Sequence, residues 1–183
     1  WLSLVPVSGP FLSLPVLMEA FSSGLEPHDP DHMRLFRQRY AEWQELSEKH
    51  RGDPTPRQQW IRWVLEQTLD YDNKVLVEGQ AIPQTLQVEI AEHHELLRPD
   101  FVLNDSVTGK PRLLIQMYPQ AQELTSYLMG SRWKASPDTR MTELLHATGV
   151  RLGLVTNGEH WMLVNAPKGE TSGYASWYAG LWQ

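Results

Sequence analysis

The sequence predicts an α/β fold in which helices flank a mixed sheet, with a helical extension at the N-terminus. Apolar residues recur at helical spacing in two segments of the first third of the chain. Between residues 74 and 118, short apolar runs bounded by turn residues indicate strands instead. A further helical segment then separates these strands from the last predicted strands. This order, helix, antiparallel-type strands, helix and strands, is typical of helices that cover a sheet.

Residues 1–53 are predicted to form an apolar N-terminal stretch and a helix. The helix begins at Asp29-Pro30, because aspartate is a favourable N-cap and proline is tolerated at the first helical position. Its apolar stripe recurs every three or four residues and comprises Met33, Phe36, Tyr40, Trp43 and Leu46. Arginines, lysines and glutamates alternate around this stripe, so we interpret the opposite side as a solvated face rather than a phosphate-binding one.

Residues 54–168 are predicted to form the core. A second helix starts at Thr55-Pro56, where Thr55 and Gln58 have the spacing of a capping box. A third helix opens at Ser136-Pro137 and stops at Gly149. Strands are predicted at 74–78, 85–90, 99–104, 112–118, 150–156 and 160–164, the last two joined by an Asn157-Gly158 turn. Residues 169–183, rich in glycine, serine and aromatic residues, are predicted to be a tail that leads to a downstream domain.

Composition restricts the classes of protein to which the chain can belong. With 183 residues, 41% hydrophobic and 21% charged, the chain has the composition of a globular domain with a sizeable core. The apolar residues 1–21 contain three prolines and no basic start, so we expect neither a signal peptide nor a membrane partner. Cysteine is absent, which excludes disulfides and is in keeping with our expectation of a cytoplasmic protein.

The formal net charge of −6 argues against a protein that binds nucleic acid over its whole surface. Neutralisation of phosphates supplies much of the affinity of such proteins. Any contact with DNA is therefore expected to use a local patch or the rest of a longer chain. Arg98 and Arg112 flank two of the predicted strands, and Arg132 and Lys134 precede the third helix. We predict that these four side chains contact DNA, which requires that they share one face.

The motif with the most chemical content is a Pro-Asp pair followed by an apolar strand. Asp100 starts one predicted strand, and Gln116 and Tyr118 lie in the next strand, after a hairpin connection. Alternation along a strand places these last two residues on the same face. Carboxylates on adjacent strands can hold Mg²⁺ against a phosphate, and a lysine two residues further along can activate water.

This motif resembles the core of PD-(D/E)xK nucleases, in which a Pro-Asp starts one strand and an acid-x-Lys ends the next. The resemblance implies a restriction-endonuclease-like sheet and a metal site made of Asp100 and Gln116. It also implies that Glu66 matches the acidic residue that many of these nucleases carry on the preceding helix. Gln116 replaces the usual acid, and Tyr118 replaces the usual lysine. The resemblance therefore implies a nuclease-type site whose catalytic motif is degenerate.

Other segments resemble restriction-modification proteins. Residues 147–161 are similar to the segment after the nuclease motif in type I restriction subunits and in fused type IIG proteins. Residues 9–17 and 175–178 resemble the N-terminal region of adenine-specific DNA methyltransferases of type IIG and DISARM-like anti-phage systems. The resemblance implies that DNA and other domains or subunits of a defence complex are the partners. The chain has neither an Asn-Pro-Pro-Tyr motif nor a glycine-rich cofactor turn, so methyl transfer would need residues beyond Gln183.

Three functions remain open on the sequence alone. The leading hypothesis is a DNA-engaging, nuclease-like domain that no longer cleaves, and the alternatives are an active Mg²⁺-dependent endonuclease and a protein-interaction module that never contacts DNA. Asp100 either binds a metal or caps a strand end, and Gln116 is either a ligand or a satisfied polar group. The same choice applies to four tryptophans, which either stack on bases or pack within the protein: Trp133, Trp161, Trp177 and Trp182.

Overall fold

A computed structural model describes residues 7–9, 11–24 and 29–182 of the chain. Residues 1–6 and Pro10 of the apolar N-terminal stretch, residues 25–28 and Gln183 lie outside the described residues. The helices are α1 (Leu14–Ala20), α2 (Pro30–Lys49), α3 (Thr55–Trp63) and α4 (Pro137–Thr148), and a π-helical segment, Val64–Thr68, continues α3. Within the described ranges, no helix combines the length and the apolar character that crossing a membrane requires.

The strands are β1 (Val7–Ser8), β2 (Leu76–Glu78), β3 (Val88–Ile90), β4 (Glu95–Leu97), β5 (Phe101–Asn104), β6 (Pro111–Met117), β7 (Leu152–Thr156), β8 (His160–Asn165) and β9 (Gly173–Tyr178). Seven of them form one sheet in the order β1-β9-β8-β7-β6-β5-β2. β6 and β7 are parallel and are connected through α4, whereas the other neighbours in this sheet are antiparallel. The predicted α/β class, with a mixed sheet flanked by helices, is therefore confirmed.

Helices cover both faces of the sheet. On β6, Leu114 lies in one hydrophobic cluster, whereas Leu113 and Ile115 lie in the other, as the alternation of side chains along a strand requires. The cluster around Leu114 is completed by α4 through Met141 and by the separate β3–β4 pair. The opposite cluster is completed by α2 and α3, the latter through Trp60. The sheet is thus the middle of three layers.

The ends of the helices follow local sequence signals, with one exception. The Asp29 carboxylate accepts a hydrogen bond from the Asp31 backbone N–H at 2.9 Å, so α2 begins where it was predicted. α4 stops at Gly149, whose φ of +74° lies in the left-handed region that favours glycine. The predicted capping box does not form at Thr55. The Asp53 carboxylate accepts the hydrogen bond from the Thr55 backbone N–H instead, at 2.8 Å.

The strands differ from the prediction at several places, and the two-residue strand β1 was not predicted. The predicted strand 85–90 begins only at Val88, because Gln84–Leu86 forms a 3₁₀ turn. β4 was not predicted, since three residues are too few to show a clear alternation. Residues 173–178 of the predicted tail form β9, which pairs with β8 along its whole length. The sheet therefore continues past the predicted boundary at residue 168.

The Asn157-Gly158 turn joins β7 to β8 as predicted, and it also anchors α3. The Gly158 carbonyl accepts hydrogen bonds from the indole N–H groups of Trp60 at 2.8 Å and of Trp161 at 3.0 Å. Both side chains are almost fully buried, with 3% and 2% exposure, so an unpaired N–H there would carry a desolvation cost. Gly158 has a φ of +94°, and a Cβ at this position would lie 2.9 Å from the Trp43 ring. The turn therefore requires glycine.

We expect Gly158→Ala to lower the free energy of unfolding by about 3 kcal/mol, the sum of left-handed backbone strain and overpacking against Trp43. Gly109→Ala is the matched control, because Gly109 also has a positive φ, +66°, but a Cβ at this position would have no described neighbour within 4 Å. The control should lose only about 1 kcal/mol. Urea unfolding followed by tryptophan fluorescence measures both losses. Equal losses would show that the Trp43 contact does not constrain the turn.

Candidate functional site

Asp100 lies directly before β5, at the mouth of a cleft of about 340 Å³ between α3 and the ends of β2, β5 and β6. Its backbone N–H donates to the Ile115 carbonyl at 2.8 Å, and its carboxylate Oδ2 accepts from the Met117 N–H at 2.6 Å. These two bonds attach the start of β5 to the end of β6. The residues around the cleft include Gln58, Gln59, Arg62, Glu78, Asp100 and Met117.

The electrostatic surroundings of Asp100 act in opposite directions on its carboxyl group. Surrounding protein removes water from the carboxyl, which raises its pKa even though part of the residue remains exposed. The hydrogen bond from Met117 and the positive charges of Arg98 and Arg57 lower it, but they do not offset the desolvation. Ionised Asp100 is therefore less stable in the folded chain than in the unfolded chain, which is a common property of functional carboxylates.

Gln116 does not line this cleft, and its side chain hydrogen-bonds other parts of the protein instead. The side chain is only 6% exposed, and it is not among the residues that line the cleft. Its Nε2 donates to the Arg98 carbonyl at 3.0 Å, and its Oε1 accepts from the Tyr118 hydroxyl at 3.3 Å. Tyr118 is also buried, and burial raises the pKa of its phenol, which therefore stays neutral. Both polar groups of the glutamine are thus satisfied by the protein itself.

Glu66 is not placed beside Asp100. It lies in the π-helical segment after α3 and forms an ion pair with Arg62 at 3.0 Å. Arg62 also pairs with Glu78, which lies at the end of β2. Arg62 and Glu78 line the cleft, whereas Glu66 does not. The helical acid that the resemblance implied is therefore engaged in a charge network on α3.

The arrangement of these residues does not fit a Mg²⁺ ion. Mg²⁺ requires near-octahedral oxygen ligands, usually with one or two carboxylates. One oxygen of Asp100 is engaged by Met117, the amide oxygen of Gln116 is engaged by Tyr118, and Glu66 is paired elsewhere. In the part of the chain that the structure describes, no three His, Cys, Asp or Glu side chains lie close enough together to hold a metal ion. No step through a bound metal follows from this geometry.

The four basic residues predicted to contact DNA do not all lie at this end of the sheet. Arg98 donates to the Gly79 carbonyl at 3.1 Å, beside the cleft. Arg112 lies at the opposite end of the β5–β6 pair, where it forms an ion pair with Asp105 at 3.0 Å. The length of β6 therefore separates Arg112 from Asp100 and Arg98.

Arg132 and Lys134 lie in the connection that leaves β6 at the Asp100 end. Ser131 in this connection hydrogen-bonds Glu95 of β4, and Arg98 follows β4. Both basic side chains are exposed, and neither forms an ion pair with a described acidic residue. The connection is thus tied to the start of β4, whereas Arg98 follows the end of that strand.

Arg57 on α3 was not among the site residues predicted from the sequence. Its charge acts on Asp100, it is half-buried, and its Nε has no hydrogen-bond partner among the described residues. No motif could have identified it, because 43 positions separate it from Asp100 and only the packing of α3 on the sheet brings them together.

Comparison with family models, with curated proteins and with solved structures found no match to this chain.

We expect Asp100→Asn to stabilise the fold at neutral pH, because it removes a carboxyl group whose pKa is raised on folding. The amide oxygen of the new side chain can still accept the hydrogen bond from the Met117 N–H. Below the ordinary aspartate pKa of about 3.9, the acid is protonated in both states and the gain should disappear. Asp105→Asn is the opposite control. Hydrogen bonds from Thr108 hold the pKa of Asp105 well below its usual range, so this change should destabilise at neutral pH and keep most of its effect at pH 3, where the folded carboxyl is still ionised. Thermal unfolding between pH 3 and 7 tests both signs, and a destabilising Asp100→Asn would contradict our account.

Proposed function

We propose that this chain is a DNA-engaging, nuclease-like domain of a prokaryotic restriction-modification or anti-phage defence protein, and that it has lost metal-dependent cleavage. The order of the elements supports a restriction-endonuclease-like core. α3, β2, β5, β6, α4 and β7 follow one another in the chain apart from the β3–β4 pair, and their four strands are neighbours in the sheet. This is the helix, three strands, helix and strand order that the PD-(D/E)xK resemblance implies.

The observation that carries the proposal is the position of Asp100. Asp100 lies directly before β5, which is the middle strand of β2, β5 and β6, and it lines the cleft beneath α3. The positive charges of Arg98 and Arg57 act on its carboxyl group. A carboxyl group whose pKa is raised by burial at a cleft, with arginines acting on it, is typical of functional sites. Arginines beside it could hold a phosphate of DNA by charge-assisted hydrogen bonds.

The neighbouring residues support a loss of cleavage. Gln116 and Tyr118 occupy the positions of the acid and the lysine, and they hydrogen-bond each other. A neutral amide and a phenol supply neither a second negative charge for a metal nor a cation for the attacking water. In this proposal, therefore, the site positions DNA for other domains or subunits of a defence complex in the cytoplasm and does not itself hydrolyse it.

We expect the isolated chain to bind duplex DNA weakly and with a steep dependence on salt, because only a local patch opposes the net charge of −6. Combined Arg132→Ala and Lys134→Ala should weaken binding roughly tenfold for all sequences. Combined Lys110→Ala and Arg112→Ala removes the same charge at the opposite end and should have little effect. Fluorescence anisotropy with a labelled duplex at about 50 and 200 mM salt makes the comparison.

Two results would overturn the DNA-binding proposal. Equal losses in the two double variants would show that binding is general attraction and not a patch. An Arg132→Ala and Lys134→Ala variant that binds DNA normally but no longer associates with another subunit would favour the protein-interaction module instead.

We expect no Mg²⁺-dependent cleavage of supercoiled plasmid by this chain, since its motif lacks both the second acid and the lysine. The assay compares the unmodified chain with Asp100→Ala over a range of Mg²⁺ concentrations. Cleavage that requires Asp100 would favour the active endonuclease, and it would mean that another group, such as Arg57, supplies the cation.

A further inference from the structure

A second, larger cleft has no part in the proposed contact with DNA. It measures about 630 Å³, which is within the usual range of small-molecule sites. Four elements form its walls: α2, the connection between β6 and α4, the turn between β7 and β8, and the end of β9. We refer to it as the Glu159 cleft.

Glu159 is fixed in position before any ligand binds. Its Oε2 accepts hydrogen bonds from the Tyr40 hydroxyl at 2.7 Å and from Gln44 Nε2 at 3.4 Å, and its Oε1 accepts from the Gly180 N–H at 3.1 Å. Burial and the neighbouring carboxylate raise the pKa of Tyr40 to about 12, so the phenol remains a donor at neutral pH. A carboxylate offers about four acceptor sites, and three donors leave one for a ligand. Such preorganisation lowers the entropic cost of binding.

An aromatic wall stands beside this carboxylate. His160 stacks on Tyr178 with 4.4 Å between ring centroids and 9° between planes. Tyr178 is 40% exposed, so the ring remains accessible to a ligand. Burial lowers the pKa of His160, which therefore adds no positive charge to the cleft at neutral pH. Its Nε2 is buried without a hydrogen-bond partner in the described part of the chain.

The charges in the cleft determine which ligand it favours. Glu123, from the connection after β6, is a second carboxylate in the wall, and none of the described residues that line the cleft is lysine or arginine. A phosphate would meet only repulsion here, and a neutral ligand would desolvate Glu159 without compensating its charge. A planar cation can donate one charge-assisted hydrogen bond to the acceptor site that remains free on Glu159 Oε1, and it can stack on a tyrosine ring.

We propose that the Glu159 cleft binds a guanidinium group, with Glu159 as its ion-pair partner and Tyr178 as its aromatic platform. The group could belong to a free arginine derivative or to an arginine side chain of a partner protein, and the chemistry of recognition is the same. This site is independent of the nuclease-like function, because neither Asp100 nor the basic residues near it line the cleft.

Isothermal titration calorimetry on the whole chain tests the proposal with argininamide, and with citrullinamide as its uncharged analogue. We expect argininamide to bind at least about tenfold more tightly than citrullinamide, since only the former offers a charged fork. Glu159→Gln should weaken argininamide binding by about tenfold or more. Glu170→Gln removes the same charge from an exposed site in the turn between β8 and β9, and it should leave binding unchanged.

Tyr178→Leu and Glu123→Gln keep the proposal testable if Glu159→Gln does not fold, and each should weaken binding. A Gly-Arg-Gly peptide that binds more tightly than argininamide would indicate a protein partner, and equal binding would indicate a free small molecule. Equal affinity for argininamide and citrullinamide, no binding at about 10 mM, or equal effects of Glu159→Gln and Glu170→Gln would each overturn the proposal.

Discussion

The Gly158 carbonyl is the acceptor on which the packing of α3 against the sheet depends. It receives one indole N–H from α3, through Trp60, and one from β8, through Trp161. A carbonyl oxygen has two lone pairs, so both buried donors are satisfied by one atom. Trp60 also stacks on Trp43 of α2, with 5.4 Å between centroids and 9° between planes. α3 therefore cannot slide along the sheet without unpairing buried polar groups, and the Asp100 cleft beneath it keeps its shape.

The same turn also shapes the second cleft. The Asn157 side chain donates to the carbonyls of Gln120 and Gln122, and it accepts from the backbone N–H groups of Glu159 and His160. With only 6% exposure, it can leave few of these bonds to water. Two walls of the Glu159 cleft are thus tied to each other through one amide. The two candidate sites are chemically different, but both are positioned by the two residues of one turn.

On the opposite face of the sheet, a buried ion pair attaches α4 to its neighbours, whereas stacked aromatic rings attach α3. Arg140 of α4 is almost fully buried and pairs with Glu95 of β4 at 2.5 Å. The hydrogen bond from Arg140, aided by Ser131, lowers the pKa of Glu95 to about 2. Removing Glu95 would leave the buried guanidinium of Arg140 without its counter-charge, which costs several kcal/mol. This pair, with Ser131, holds β4 and the connection after β6 together, and that connection carries the exposed Arg132.

Local patterns in the sequence were sufficient to predict the class of fold and the ends of some of its elements. Asp29 and Gly149 act through hydrogen bonds and backbone angles within a few residues, and the same is true of the turn at Gly158, so the amino-acid pattern suffices to place them. It also predicted Asp100 as a candidate site residue, and this residue lines a cleft in the structure. Only the tertiary contacts show what surrounds that carboxylate, which strands continue the sheet after residue 168, and that Arg112 lies at the far end of β6 from Asp100. These facts depend on contacts between residues far apart in the chain, such as Arg57 with Asp100, and no local pattern encodes them.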